Sequence, residues 1–369
     1  MELTSGSLTA LLCAIALGLW AGTVWAWPRL AGRSVRNVLS RVGLLAAGQL
    51  GVVLALLVAV NAHFVFYSGW DDLLGANGGA AAIKHRLGQG GPQPPSLAVV
   101  GHEPTANPAK DGQTDHIQIL GQGTGLTSEA YVVLPAQYFQ PQFAARRFPV
   151  VVMLTGYPGN PRGLVRAMHF PALVRIGEAS GKVQPAIYVL MTPTLVSQRD
   201  TECTDVPGGP QVESFFAADL PQAISSGYRT ATSRNGWAIM GDSTGGYCAT
   251  KIAMRHYDRY SAAVNLSGYF DALQDITTGD LYGGSKTVRQ ENDLLWRAQN
   301  LPQPPINLLV TSCRTGEVTY PQAAKFLSLV RQPLQADSLI LDSGGHNFRT
   351  FKRMVPPALE WLSSHLHAE

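Results

Sequence analysis

The chain has 369 residues, of which 46% are hydrophobic and 14% charged, with a mean hydropathy of +0.04. This balance excludes a disordered polyelectrolyte, and 38 glycines with 24 prolines fall short of a collagen-like or low-complexity composition. A net charge of +3 leaves no basic stripe for nucleic acid, and so little charge in so long a chain predicts that part of it does not face water.

The first seventy residues supply that part. Leu8–Trp27 and Val42–Tyr67 contain no Asp, Glu, Lys or Arg. Each reaches the roughly 20 residues that a helix needs to cross a bilayer. Arg29, Arg33, Arg36 and Arg41 lie between them with no acid to balance them. The positive-inside rule therefore predicts a cytoplasmic loop and both termini outside. Trp25 and Trp27 mark one interface, and Phe64, Phe66, Tyr67 and Trp70 the other. Asn61 and His63, near the outer end, read as interfacial polar residues. A cleaved signal peptide is the competing reading of the first segment. However, MELTSGS carries Glu2 and no basic residue, and no small-x-small site follows it. The expectation is a two-helix membrane anchor over 1–67, in which Cys13 fills space.

Residues 68–115 are rich in Gly, Pro, Ala and Gln without helical or strand period, and read as a linker. From 116 to 369 short apolar runs alternate with amphipathic stretches. HIQILG, AYVVLP, Val150–Leu154, Ile187–Met191, Trp237–Met240, Ala262–Leu266, Ile306–Val310 and Ser338–Leu341 read as strands. Phe215–Ser225, Gly245–His256, Pro321–Arg331 and Phe351–His365 read as helices. The alternation predicts an α/β domain, a mostly parallel sheet with helices on both faces.

One strand runs directly into Gly241-Asp242-Ser243-Thr244-Gly245-Gly246 and a helix follows. A G-x-S-x-G between strand and helix is a nucleophile elbow: the tight turn lifts the serine hydroxyl above the sheet, at the positive end of a helix. The competing reading is a glycine-rich turn of a nucleotide binder, but neither a dinucleotide fingerprint nor a P-loop lysine is present. An elbow serine needs a histidine base oriented by an acid, in the chain order serine, acid, histidine. Of the later histidines, His256 lies on the elbow helix facing solvent, and His365 and His367 fall in the frayed last residues. His346, in SGGHNF after a strand, falls at the sheet's carboxyl edge and is the expected base. Glu317, in the loop after INLLV, is the expected acid, and Asp342 is the runner-up. Asp337 precedes a strand and would lie at the wrong edge. The oxyanion amides are expected from Thr244 and from the loop after VVVML, where Pro158 has no N–H and Gly156 or Tyr157 must donate; Tyr157 is favoured.

FPVVVMLTGYPG, GDSTGGYCA, AAVNLSGYF, the Glu317 loop and GGHNFRTFKRMVPPALEWL together resemble the α/β-hydrolase esterases, a family that includes esterase D, feruloyl esterases and the antigen 85 mycolyltransferases. ESFFAADLPQAI and LSGYF look most like the antigen 85 branch. The resemblance covers about residues 116–369 and leaves out the membrane hairpin. It implies an α/β-hydrolase fold, Ser243, Glu317 and His346 in the triad positions, and Tyr157 and Thr244 supplying oxyanion amides. Thr155 departs from the family, which often has Asp or His before the glycine.

Cys203, Cys248 and Cys313 fall in the domain placed outside, where an oxidising compartment permits a bridge and leaves one thiol over. A Cys203–Cys248 pair would tie the DTECTDVPGGP loop to the elbow helix; three buried free thiols are the alternative. No Cys/His cluster has zinc spacing and DTECTD lacks a calcium-loop pattern, so no metal and no cofactor are expected. The sequence thus predicts a membrane-anchored extracytoplasmic serine esterase or acyltransferase, acting on acyl esters and suited to lipids or glycolipids of the cell envelope, with no nucleic-acid partner. A non-catalytic envelope-binding protein on the same scaffold is the alternative from another class, and a transporter or sensor built on the hairpin is a third.

Overall fold

The computed structural model describes residues 5–64, 70, 96–196 and 199–369. The centre of the expected linker, 71–95, lies outside the described residues. So do the belt residues Phe66 and Tyr67 and the side chains of His63 and Phe64. The chain divides into two compact units, Met1–Gly88 and Gln89–Glu369.

In the first unit, helix α1 (Gly6–Ala26) leads through a 3₁₀ turn (Trp27–Leu30) to helix α2 (Val35–Phe64). Both helices are long and apolar enough to cross a membrane. They pack through small residues. A Cβ on Gly51 would come within 3.3 Å of the Ala16 backbone, and one on Gly48 within 3.2 Å of the Trp20 ring. Glycine here lets the two helices approach closely. The second helix begins seven residues before its charge-free run, so Arg36 and Arg41 lie in its first turns rather than in a loop. Arginine is a good helix former, and nothing between Val35 and Val42 stops the helix. The Arg29 guanidinium sits 3.9 Å above the Trp25 ring.

The second unit is built on one nine-stranded sheet of order β1-β2-β3-β5-β4-β6-β7-β8-β9. Its strands are β1 (Leu97–His102), β2 (Gln113–Leu120), β3 (Thr127–Leu134), β4 (Val150–Leu154), β5 (Ile187–Met191), β6 (Trp237–Asp242), β7 (Ala262–Leu266), β8 (Asn307–Thr315) and β9 (Gln335–Ser343). The first three strands and the β3–β5 pair run antiparallel, and β5 through β9 run parallel. The expectation of a mostly parallel sheet therefore holds. Val150, Val152 and Leu154 point into one apolar cluster, whereas Val151 and Met153 point into another on the opposite face. Two buried faces explain why these strands are unbroken apolar runs.

One boundary needs correction. The reading of 68–115 as a linker is too long, because Leu97–His102 is an edge strand paired with β2, and β2 itself starts at Gln113. The edge strand exposes Val99 by 48% and Val100 by 49%, so it has no buried face to impose an alternating pattern.

The helices that matter for the site are α3 (Leu220–Gly227), α4 (Thr244–Arg255), α5 (Tyr320–Leu329) and α6 (Phe348–His365). The expected helix over Phe215–Ser225 is present in altered form: a π-helical turn covers Phe215–Asp219 before α3 begins.

Candidate active site

Every group expected in the site sits just beyond the carboxyl end of a parallel strand. Ser243 follows β6 and caps α4 with φ 54° and ψ −123°, a left-handed strain that the turn imposes on a non-glycine residue. Glycine at 245 is required because a Cβ there would lie 2.4 Å from the Leu154 carbonyl oxygen. His346 stands between β9 and α6, and Glu317 two residues past β8.

The chain brings these three side chains together across 74 and 29 residues of sequence (317 − 243 and 346 − 317). Ser243 Oγ is 2.7 Å from His346 Nε2. His346 Nδ1 is 3.1 Å from both Glu317 oxygens. The Glu317 side chain is fully buried while that of His346 is 36% exposed, so the histidine can be reached from solvent and the carboxylate cannot.

The loop after β4 comes up beside the elbow. A Cβ on Gly156 would lie 2.9 Å from Ser243 Cβ, so only glycine permits this approach. The Gly156 N–H donates to Asp242 Oδ2 at 3.0 Å, which commits that amide and, of the two expected donors, leaves Tyr157. Among the described residues no acceptor is found for the N–H of Tyr157 or of Thr244. Asp242, immediately before Ser243, was not foreseen as a participant. It is buried, and its Oδ1 has no partner among the described residues.

Residues 122–359 match the family model Esterase, described as "Putative esterase". The chain belongs to this esterase family. An uncharacterized protein of Corynebacterium glutamicum is 22% identical over 285 residues, or 70% of this chain and 64% of that protein. The chain thus spans less than two thirds of that relative. Among solved structures, the esterase unit is similar to a ferulic acid esterase (19% identity, 69% of this chain and 97% of that one, TM-score 0.58). It is also similar to an S-formylglutathione hydrolase from Agrobacterium tumefaciens (14%, 73% and 99%, TM-score 0.60). A third is the fluorophosphonate-binding serine hydrolase F of Staphylococcus aureus (17%, 68% and 98%, TM-score 0.55). At these identities the likeness is one of fold, that of α/β-hydrolase esterases.

The electrostatics of the candidate site favour a charged acid beside a basic histidine. Burial works against an ionised Glu317, but the hydrogen bond and charge of His346 outweigh it and hold the carboxyl below the ordinary range. Burial likewise works against a protonated His346, and the hydrogen bond and charge of Glu317 outweigh it, so the imidazole stands above 6.5. Burial pushes Asp242 up to about 7, against the pull of the Gly156 N–H and His346.

The other residues weighed from sequence fall elsewhere. Asp342 is exposed, near the end of β9. His256 does not simply face solvent: its Nε2 meets Glu213 Oε1 at 2.8 Å, beside Arg255. His365 stacks on Trp361 at 4.1 Å. The end of the chain is tied down rather than frayed, because Glu369 accepts from the N–H groups of Thr232 and Ser233. Cys203 and Cys248 form a disulfide, Cys313 is buried and free, and Cys13 is free and exposed. Among the described residues no cluster of metal-ligating side chains occurs. A cleft of about 680 Å³, lined by residues that include Gln137, His169, Arg175 and Glu178, contains none of the three site residues.

Proposed function

We propose that the chain is a serine carboxylic-ester hydrolase or acyltransferase working through Ser243, His346 and Glu317. The observation that carries this reading is the unbroken contact from Ser243 Oγ through both nitrogens of His346 to a sealed carboxylate. Glu317 accepts a hydrogen bond from the Nδ1–H and so fixes the tautomer whose Nε2 accepts from the Ser243 hydroxyl. As Ser243 Oγ bonds to the acyl carbon, its proton passes to Nε2 and the carbonyl oxygen becomes an anion facing the Tyr157 and Thr244 amides. The carbon–alkoxy bond then breaks, and the Nε2 proton leaves with the alcohol. The acyl-enzyme is resolved when water or a second hydroxyl attacks: His346 takes the attacker's proton and returns it to Ser243. Water gives an esterase, and a sugar or lipid hydroxyl gives a transferase.

Residues 1–67 serve in this reading as a two-span anchor, joined by a linker to a catalytic domain on the extracytoplasmic side. The apolar faces of α1 and α2 and the four arginines near their junction support it. An anchored enzyme in that compartment suits an acyl ester of the envelope, lipid or glycolipid. A membrane-impermeant fluorophosphonate applied to intact cells tests nucleophile and side together. Labelling that vanishes in Ser243→Ala is expected. Labelling only after lysis would overturn the orientation, and labelling that persists in the variant would overturn the nucleophile.

A further inference from the structure

Behind the elbow, several constraints meet on a residue that the reaction above does not use. Glu202 and Cys203 both take left-handed backbone angles, φ 50° and 48°, in a loop after β5. Side chains other than glycine resist this conformation, and here three bonds impose it. Asp200 Oδ1 accepts from the Glu202 N–H at 3.0 Å, Lys251 Nζ donates to the Glu202 carbonyl at 2.6 Å, and the disulfide ties Cys203 to Cys248 in α4. Lys251 is itself fully buried, so its ammonium has no alternative in water.

What the constraint holds in place is a carboxyl group. Glu202 is 2% exposed, and Tyr269 donates its hydroxyl to Glu202 Oε2 at 2.5 Å. The same hydroxyl lies 3.2 Å from Thr244 Oγ1, and the Tyr269 ring stacks on Tyr247 at 5.0 Å. A phenol has one proton; with that proton given to Glu202, the Tyr269 oxygen accepts from the Thr244 hydroxyl. The chain Thr244–Tyr269–Glu202 therefore starts on the residue whose amide faces the oxyanion.

We propose that Glu202 and Tyr269 are positioning residues for acyl transfer: they lock the Thr244 side chain and, through it, the peptide whose N–H stabilises the tetrahedral intermediate. The proposal rests on the Ser243 reading. Thr244 follows a strained residue, and a held side chain adds to the bonds that Gly246 and Tyr247 donate to the Ser243 carbonyl in fixing the direction of that peptide. Burial, reinforced by Asp200, pushes the Glu202 carboxyl up, against the pull of Tyr269 and Lys251.

The test measures kcat and KM of the full chain in detergent on a short-chain aryl ester. Loss of an oxyanion donor costs on the order of 10²–10³ in kcat, so loss of its alignment is expected to cost roughly ten-fold. E202A and Y269F should each show that loss with KM within about two-fold, and the double variant should be no worse than either alone. E202Q, which still accepts from Tyr269, should recover most of the rate, something a purely structural role at the melting temperature would not require. E202Q falling as far as E202A, losses that multiply, or a rise in KM at constant kcat would overturn the proposal. If E202A does not fold, wild-type kcat in Y269F would overturn it. A wild-type chain that neither turns over the ester nor takes a fluorophosphonate on Ser243 would instead remove the serine reading itself.

Discussion

In the hairpin, Leu17, Val24 and Val35 are 72%, 69% and 75% exposed, whereas in the esterase unit Val150, Val152 and Leu154 are 0% exposed. The same kinds of side chain point outward in one region and inward in the other. Helices can do the first because they satisfy their own backbone hydrogen bonds, which lets an apolar exterior meet an apolar solvent. In the sheet the N–H and C=O groups bond to neighbouring strands within its plane, and it is the helices packed on both faces that bury the side chains. The contrast also separates what each region can do. A hairpin aligns residues close in sequence, but only a sheet gathers Ser243, Glu317 and His346 at one edge.

The sharpest way to break that contrast is to remove the chemistry from one region alone. Ser243→Ala and His346→Ala are each expected to lower kcat on a short-chain aryl ester by about a million-fold, as members of a unit do. Thermal melting of both variants should stay near wild type, and substantial residual turnover in Ser243→Ala would sink the assignment.

Glu317→Gln should be milder, on the order of 10⁴-fold in kcat, because the amide holds the imidazole but neither fixes its tautomer nor stabilises its charge. It also carries a pH signature. His346 acts as a base only when neutral, so kcat/KM rises as pH rises through its pKa. In the wild type Glu317 holds that pKa above 6.5, and the acid limb lies correspondingly high. Removing the carboxylate charge should move the limb to lower pH; a limb that stays in place would mean another group sets it.

The parts of the molecule that follow from short-range pattern were legible in the sequence. β4, β5 and β7 are buried apolar runs whose ends are marked by turn residues, and their bounds match the reading residue for residue. The elbow was legible because its glycines are demanded locally. β1 was not, since an exposed edge strand carries no period. The acid had two candidates because strand position narrows a loop residue's place without fixing it. Asp242, Glu202 and Tyr269 were missed for a third reason. Their roles depend on which loop packs behind which turn, and a buried carboxyl in DTECTD looks the same in sequence as a solvated one.

Side-chain truncation probes the packing side of the contrast. Leu154→Ala removes a fully buried side chain beneath the site and should cost about 2–5 kcal/mol in chemical denaturation of the detergent-solubilised chain. Leu17→Ala, at a position 72% exposed, should change the same transition by less than about 0.5 kcal/mol. Equal costs at the two positions would show that the hairpin side chain is packed in protein rather than presented to a membrane.

The smallest expected effect discriminates between the two acids. Asp342 is only four residues from His346, nearer in sequence than Glu317, and proximity alone would favour it. It lies on β9, one residue before the strand's end, and is exposed, whereas Glu317 comes from the neighbouring strand's loop and is sealed against Nδ1. A carboxylate in water is screened and loosely oriented, so it contributes little to an imidazolium several ångströms away. Asp342→Asn should therefore leave kcat/KM within about two-fold of wild type, with an unmoved acid limb. A large loss there, paired with a silent Glu317→Gln, would transfer the acid's role to Asp342 while leaving the Ser243–His346 contact in force.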